Sequence, residues 1–232
     1  IQAEEQKNSN FILVYGNNWH NGVIGIIASK LVSKFNKPSI VISFGNSHGT
    51  GSARSIQSID LSKIIHLAKD KNILIDGGGH KMAAGIKLER ILLTKFKSFL
   101  DEFFKDYSDN LFVKINRYDS LLSLDKVNSD LIDEILKLEP FGAGNNEPQF
   151  IIKDIKIQKT QIIKDKHILV FFQNDFSANL KGICFNCINS VLGDYLLNHK
   201  KYKFLIGCTI KKDNFSNIPL PQIIVKDAMI IN

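Results

Sequence analysis

Asp76-Gly77-Gly78-Gly79-His80 places three glycines between a carboxylate and an imidazole. Glycines let a backbone approach a ligand closely and adopt φ > 0, and successive N–H groups can then converge on an anion. His80 beside such a turn can donate to a phosphate oxygen or carry a proton. A tight turn with a solvated histidine fits the same five residues. A second small-residue stretch, Gly49-Thr50-Gly51-Ser52-Ala53-Arg54-Ser55, nearly matches a dinucleotide-binding fingerprint, but Arg54 stands where the third glycine belongs. The best-placed helix begins near Asp60, too late to set its N-terminus on a pyrophosphate. What remains is an arginine flanked by hydroxyls, and a guanidinium matches phosphate bidentately. Only Arg54, Arg90 and Arg117 among the 30 cations are arginine. In so lysine-rich a chain, phosphate contact at Arg54 is favoured over a surface ion pair.

Trp19-His20-Asn21-Gly22 holds the single tryptophan, in a loop that feeds a helix. Trp19 can stack on a base and His20 can meet a phosphate; alternatively, Trp19 packs under the loop and His20 caps the helix. Cys184-Phe185-Asn186-Cys187 has knuckle spacing, but a structural zinc needs four ligands, and only Cys208 and scattered histidines remain. No spacing suits a two-metal hydrolytic site. In the second half, Lys153, Lys156, Lys159, Lys164, Lys166 and Lys181 interleave with strand residues near Phe171, Phe172 and Phe185. Such a face can hold a single strand, or be a core with a solvated exterior.

The elements that must position these groups follow from periodicity. Phe11–Tyr15 reads as a strand, and Ile24, Ile27, Leu31 and Phe35 as one helical stripe ending near Asn36 and Pro38. Ser39–Phe44 reads as a strand and Gly45–Ser52 as a loop. Asp60 caps a helix through Leu61, Ile64, Ile65 and Ala68. Ile73–Ile75 is a strand running into the glycines, Ala84–Leu88 another strand, and Leu92, Phe96, Phe99 and Phe103 a further helical stripe. This alternation predicts an α/β domain over 1–107, a sheet covered by helices. Residues 108–145 read as a linker and a helix capped by Asn128 or Ser129 and ended by Pro140. Residues 146–232 read as a small all-β barrel of the OB type, with about five strands, for which Phe150–Ile157 and Gln161–Ile163 are separate candidate segments, and one helix near Val191–Leu197.

The chain has 232 residues, 44% of them hydrophobic, and a net charge of +7. That excludes whole-chain disorder. The basic excess is spread over both halves and suits a polyanionic partner. No apolar run approaches the ~20 residues of a membrane span. Three cysteines do not make a disulfide framework and favour a reducing, cytoplasmic setting. The start at Ile1 reads as neither a signal peptide nor a natural beginning, so a piece of a longer protein is expected.

Several segments resemble the RecJ single-stranded-DNA-specific exonucleases. Residues 19–31 (Trp19 to Leu31), Pro38 to Ile42, Gly51 to Ile56 and Gly78-Gly79-His80-Lys81-Met82-Ala83-Ala84-Gly85 are similar to their DHHA1 domain. Leu138 to Phe150 resembles the segment leading into their OB domain, and Pro221 to Asp227 its last strand. The resemblance implies 5′→3′ degradation of single-stranded DNA in recombination and repair. It implies that Mn or Mg sits in a separate N-terminal DHH domain, with no cofactor bound here. The match assigns Ser52, Arg54 and Ser55 to the 5′-phosphate region, and Gly77, Gly78, Gly79, His80 and Lys81 to the phosphate near the metals. His80 would stabilise charge developing in the transition state, and Trp19 and His20 are further candidate contacts. The implied partners are single-stranded DNA and the DHH domain, with single-strand-binding and other repair proteins as further candidates. No membrane partner is expected. Ala53 stands where the family has glycine, and Asn146 where it has proline. The DHH motifs are absent, so this chain alone is expected to be inactive. Two alternatives stay open: a protein-interaction module, or part of a DHH-superfamily phosphodiesterase acting on RNA.

Overall fold

A computed structural model describes residues 1–142, 144–175, 179–213 and 220–231; Ala143, within the segment likened to the OB approach, lies outside them. The chain divides into two units, 1–115 and 116–232.

In the first unit, α1 (Gln2–Glu5), β1 (Ile12–Asn17), α2 (Asn21–Phe35), β2 (Ser39–Phe44), β3 (His48–Arg54), α3 (Leu61–Asp70), β4 (Asp76–His80), β5 (Ala83–Glu89) and α4 (Leu93–Phe104) follow in order. The sheet runs β1-β2-β3-β5-β4, with only β1 and β2 parallel. All six residues of β2 are buried, because helices lie on both of its faces. One face carries the main core, in which Leu13, Ile40, Ile42, Ala53, Ile86 and Leu88 meet Ile64, Ile65, Phe96 and Leu100. On the opposite face lies α2, whose Ile24 and Ala28 pack on Val41.

Two sequence expectations are corrected here. The stretch Gly45–Ser52 is not a loop throughout: it turns at Gly45 and becomes β3 from His48. Likewise Ile73–Ile75 is not a strand; the strand is the glycine run itself. The reason is steric. A Cβ on Gly51 would lie 2.6 Å from Ile86 Cγ1, and one on Gly77 would lie 2.8 Å from Ile65 Cγ2. Glycine in these strands makes room for large neighbours rather than a turn.

The two sheet edges are treated differently. Along β1, the Gln6 side chain donates to the Leu13 carbonyl and accepts from the Leu13 N–H, both at 2.9 Å, and Gln2 does the same for Tyr15 at 3.0 Å. These carboxamides imitate a neighbouring strand and satisfy an otherwise bare edge. Gln6→Ala is expected to cost about 1–3 kcal/mol, the net value of its two hydrogen bonds to Leu13, read by denaturant unfolding through Trp19 fluorescence.

In the second unit, β6 (Ser120–Ser123), α5 (Ser129–Leu136), β7 (Phe150–Ile163), β8 (His167–Gln173), β9 (Asn179–Cys184), α6 (Val191–Leu197), β10 (Lys203–Asp213) and β11 (Leu220–Ile231) follow. The order β7-β8-β9-β11-β10, with β10 pairing back onto β7, closes a five-stranded barrel. The two expected strands over 150–157 and 161–163 are one bent strand. Residues up to Ile155 pair with β10 and those from Lys156 with β8, the latter ladder carrying a register shift between Ile157 and Lys159. The expected linker over 108–145 is divided. Phe112 joins the first core, while Leu124, Val127, Ile132 and Ile135 join the barrel core. No helix among the described residues is long and apolar enough to cross a membrane.

Candidate nucleic-acid interface

The antiparallel registers bring the expected residues into one row. Arg54 pairs with Ala83, and Ala83 pairs on its other side with His80. Directly paired residues point to the same face, so Arg54 and His80 share a face two strand spacings apart, ~10 Å at the backbone. The next row on that face is Ser52–Gly85–Gly78, and the next Thr50–Lys87–Asp76. Residues between these rows, Ala53, Ala84 and Ile86, are buried in the core behind. A Cβ built on Gly78 or Gly85 meets nothing within 4 Å. The result is an open floor of bare backbone beside α2, with Arg54 and His80 at one end.

Arg54 is held in place from two directions. Its Nη1 donates to Ser52 Oγ at 3.0 Å and to the Ala53 carbonyl at 2.9 Å. Helix α2 passes so close that a Cβ on Gly25 would lie 3.2 Å from both Arg54 Nη2 and Ser52 Oγ. Among the described residues every ion pair uses a lysine, so no carboxylate neutralises Arg54. A half-buried, pre-oriented guanidinium without a carboxylate partner is suited to an incoming anion. By contrast, Asp76 on the same face is occupied. Lys69 Nζ lies 3.0 Å from it, and with the Gly77 N–H holds its carboxyl below the usual range.

The other expected residues divide. Lys81 is exposed in the β4–β5 turn beside His80. His20 caps α2, its Nδ1 accepting from the Gly22 N–H at 3.1 Å. Trp19 is half-buried against the α2 cluster, its ring lying on Gly16. Ser55 is withdrawn from any surface role: it is buried, and its hydroxyl donates to the Ile59 carbonyl at 2.9 Å. Gly77 and Gly79 face away from the floor, towards Ile65 and the Ala83 carbonyl respectively. The glycine run is therefore not a nest with converging N–H groups but an edge strand whose polar groups alternate. Gly25, Gly85 and Lys87 belong to the face and were not among the expected site residues. The buried alternation Ala84, Ile86, Leu88 carries the signal that puts residues 83, 85 and 87 opposite.

In the barrel, Phe172 is core, whereas Phe171 is half-buried with Lys159 Nζ 4.4 Å from its ring centre. A cavity of about 220 Å³ opens beside Phe171, Leu180, Lys181 and Leu220. Phe185 is exposed and meets the His167 ring edge-on, and Lys156 pairs with Asp175. Cys184 and Cys187 are buried, with the Cys187 thiol donating to the Cys184 carbonyl, and burial pushes the Cys208 thiol up to about 12. These are packing residues. Among the described residues no three His, Cys, Asp or Glu side chains converge as a metal site.

Comparison with known proteins agrees with this architecture. The DHHA1 domain family matches residues 8–106 and the RecJ OB domain family matches residues 118–227. The single-stranded-DNA-specific exonuclease RecJ of Bacillus subtilis is 29% identical over 224 residues, covering 94% of this chain and 28% of that protein. The Escherichia coli protein of the same name is 26% identical over 180 residues, covering 75% of this chain and 31% of that one. The crystal structure of RecJ in complex with Mn²⁺ from Thermus thermophilus superposes with a TM-score of 0.77 at 20% identity, over 98% of this chain and 33% of that one, a likeness of fold. The chain thus spans about a third or less of the length of these relatives.

Proposed function

The chain belongs to the RecJ family, carrying its DHHA1 and OB domains in order, and we propose that it is the strand-holding part of a cytoplasmic 5′→3′ single-stranded-DNA exonuclease of recombination and repair. The observation that carries this reading is the shared face of Arg54, Ser52 and His80 around a floor of Gly78 and Gly85. Bare glycine backbone lets a nucleotide lie against the sheet. Arg54, fixed by Ser52 and the Ala53 carbonyl, donates two N–H groups to a phosphate without reorganising first. His80, exposed in the same row, donates a further hydrogen bond to an oxygen of that phosphate and supports charge developing there. The barrel's Phe171 with Lys159 and Lys181 offers an aromatic and cationic surface of the kind that holds further nucleotides.

The described residues do not fit the Mn or Mg that family membership implies. The metals of the hydrolytic step belong to a DHH domain elsewhere, and the chain by itself is proposed to bind without cutting. A second reading, docking against another polypeptide, is favoured by one observation: Val23 and Ile26 of α2 are 42% and 58% exposed.

Fluorescence anisotropy with a 5′-phosphorylated single-stranded oligonucleotide tests the first reading. Binding is expected at low salt and should weaken as salt rises. Two or three phosphate contacts give a slope of log K on log salt near about −1.5 to −2. Absence of binding at low salt refutes the reading, and equal or tighter binding of RNA moves the assignment to the RNA alternative.

A further inference from the structure

We infer that the cavity at the N-terminal end of α2 is a nucleoside subsite, which takes a neutral sugar or base of the strand whose phosphate is held at Arg54. The inference rests on the phosphate reading above and adds to it a second, chemically different subsite. The cavity has a volume of about 330 Å³, and its walls include Asn18, Trp19, Asn21, Ser43, His48 and Thr50.

Three observations identify its ligand. The first is position. Thr50 lies two residues from Ser52 on the same face of β3, ~7 Å along the strand. A chain anchored at Arg54 and crossing the glycine floor reaches Thr50 within a nucleotide or so. The second is charge. Arg54 charges the first row; Lys87 stands directly beside Thr50, its row-mate Asp76 being held by Lys69; and Glu89 lies opposite His48. Phosphate belongs at the first end. Around the cavity Glu89 is offset by Lys87 and by Arg90, whose Nη2 already donates to Asn17 Oδ1 at 2.8 Å and to the Gly45 carbonyl at 3.0 Å, so a neutral polar group is accommodated. The third is hydrogen-bonding capacity. Ser43 and His48 are engaged, with the Trp19 carbonyl at 2.8 Å and Ser47 Oγ at 2.7 Å. The side chains of Asn18, Asn21 and Thr50 have no partner among the described residues, and all three are exposed. Two carboxamides and a hydroxyl beside an indole match the polar edge and flat face of a nucleobase, or a sugar hydroxyl, better than they match an ion.

Trp19, the chain's single tryptophan, is part of the cavity wall and reports on it directly. The test compares a 5′-phosphorylated thymidine dinucleotide with inorganic phosphate, each titrated against Trp19 emission and against displacement of a labelled oligonucleotide. Saturable change of Trp19 emission is expected with the dinucleotide and none with phosphate, although both displace the oligonucleotide. Thr50→Val and Asn21→Ala, both at exposed positions, should each weaken the dinucleotide by roughly 2–10-fold, the value of one hydrogen bond, and leave phosphate affinity unchanged. If Trp19 stays silent while the dinucleotide displaces the oligonucleotide, or if both variants bind the dinucleotide like the parent, the subsite is overturned and the phosphate site stands. If Arg54→Ala changes neither ligand's affinity, the phosphate reading fails. The Trp19 response to the dinucleotide then decides the cavity alone: persistence supports it and loss refutes it.

Discussion

Alanine at Gly77, Gly78 and Gly79 is expected to give three different proteins. At Gly79, φ is +156° and the new Cβ would lie 2.3 Å from the Ala83 carbonyl oxygen. Backbone strain and overpacking, at about 1–3 kcal/mol each, together remove about 2–6 kcal/mol from the first unit. At Gly77 the Cβ meets Ile65 Cγ2 at 2.8 Å and the Gly85 carbonyl at 3.2 Å, so α3 must shift on the sheet. Overpacking alone predicts a loss of about 1–3 kcal/mol there. At Gly78 nothing lies within 4 Å and the backbone is outside the left-handed region. Gly78→Ala is expected to leave stability unchanged or raise it by up to ~1 kcal/mol, since a glycine in a strand is entropically costly. It should nevertheless be the variant whose folded form binds single-stranded DNA worst, because its methyl stands on the floor that a nucleotide must approach. Unfolding followed by Trp19 fluorescence, with anisotropy on the folded proteins, separates the two effects. A Gly78→Ala protein that is stable and binds like the parent would show that the floor is not used.

The same alternation explains how much was legible in the sequence. β2 was readable because Ile40, Val41 and Ile42 form a β-branched run ahead of Phe44, which needs no knowledge of its neighbours. α3 was readable from its period and from Asp60, whose carboxylate accepts the Ser62 N–H at 2.9 Å as a cap should. β3 and β4 were not, because the cause of their glycines lies elsewhere in the chain, in Ile86 and Ile65. The long β7 was read as two strands because Gln158-Lys159 interrupts its apolar pattern at the bulge. Arg54, Ser52 and His80 were recognisable by type. That Ala83 bridges Arg54 and His80 depends on a three-strand register, which no local pattern encodes. Lys87 was invisible for another reason. One lysine on an uncovered half-sheet looks like every other lysine in a chain whose 30 cations include only three arginines.

That scarcity makes Arg54 the sharpest point of attack. Arg54→Ala is expected to weaken binding of a 5′-phosphorylated oligonucleotide by roughly 10–100-fold, since a charge-assisted contact is worth about 1.5–3 kcal/mol. It should also reduce the salt slope by about 0.7, the share of one phosphate on a single strand. Stability should change little, because the guanidinium has no carboxylate partner to strand. Arg54→Lys is the informative companion. It keeps the charge and therefore most of the salt slope, but an ammonium lacks the planar fork that presents donors to Ser52 Oγ, the Ala53 carbonyl and a phosphate together. Affinity should recover only in part. A terminal-phosphate site adds a further condition: the parent should prefer a 5′-phosphorylated over a 5′-hydroxyl oligonucleotide, and Arg54→Ala should erase that preference while His80→Ala only reduces it. Full recovery in Arg54→Lys means that charge density alone holds the strand. Persistence of the 5′-phosphate preference in Arg54→Ala moves the terminal phosphate away from this row altogether, leaving Arg54 to an internal phosphate.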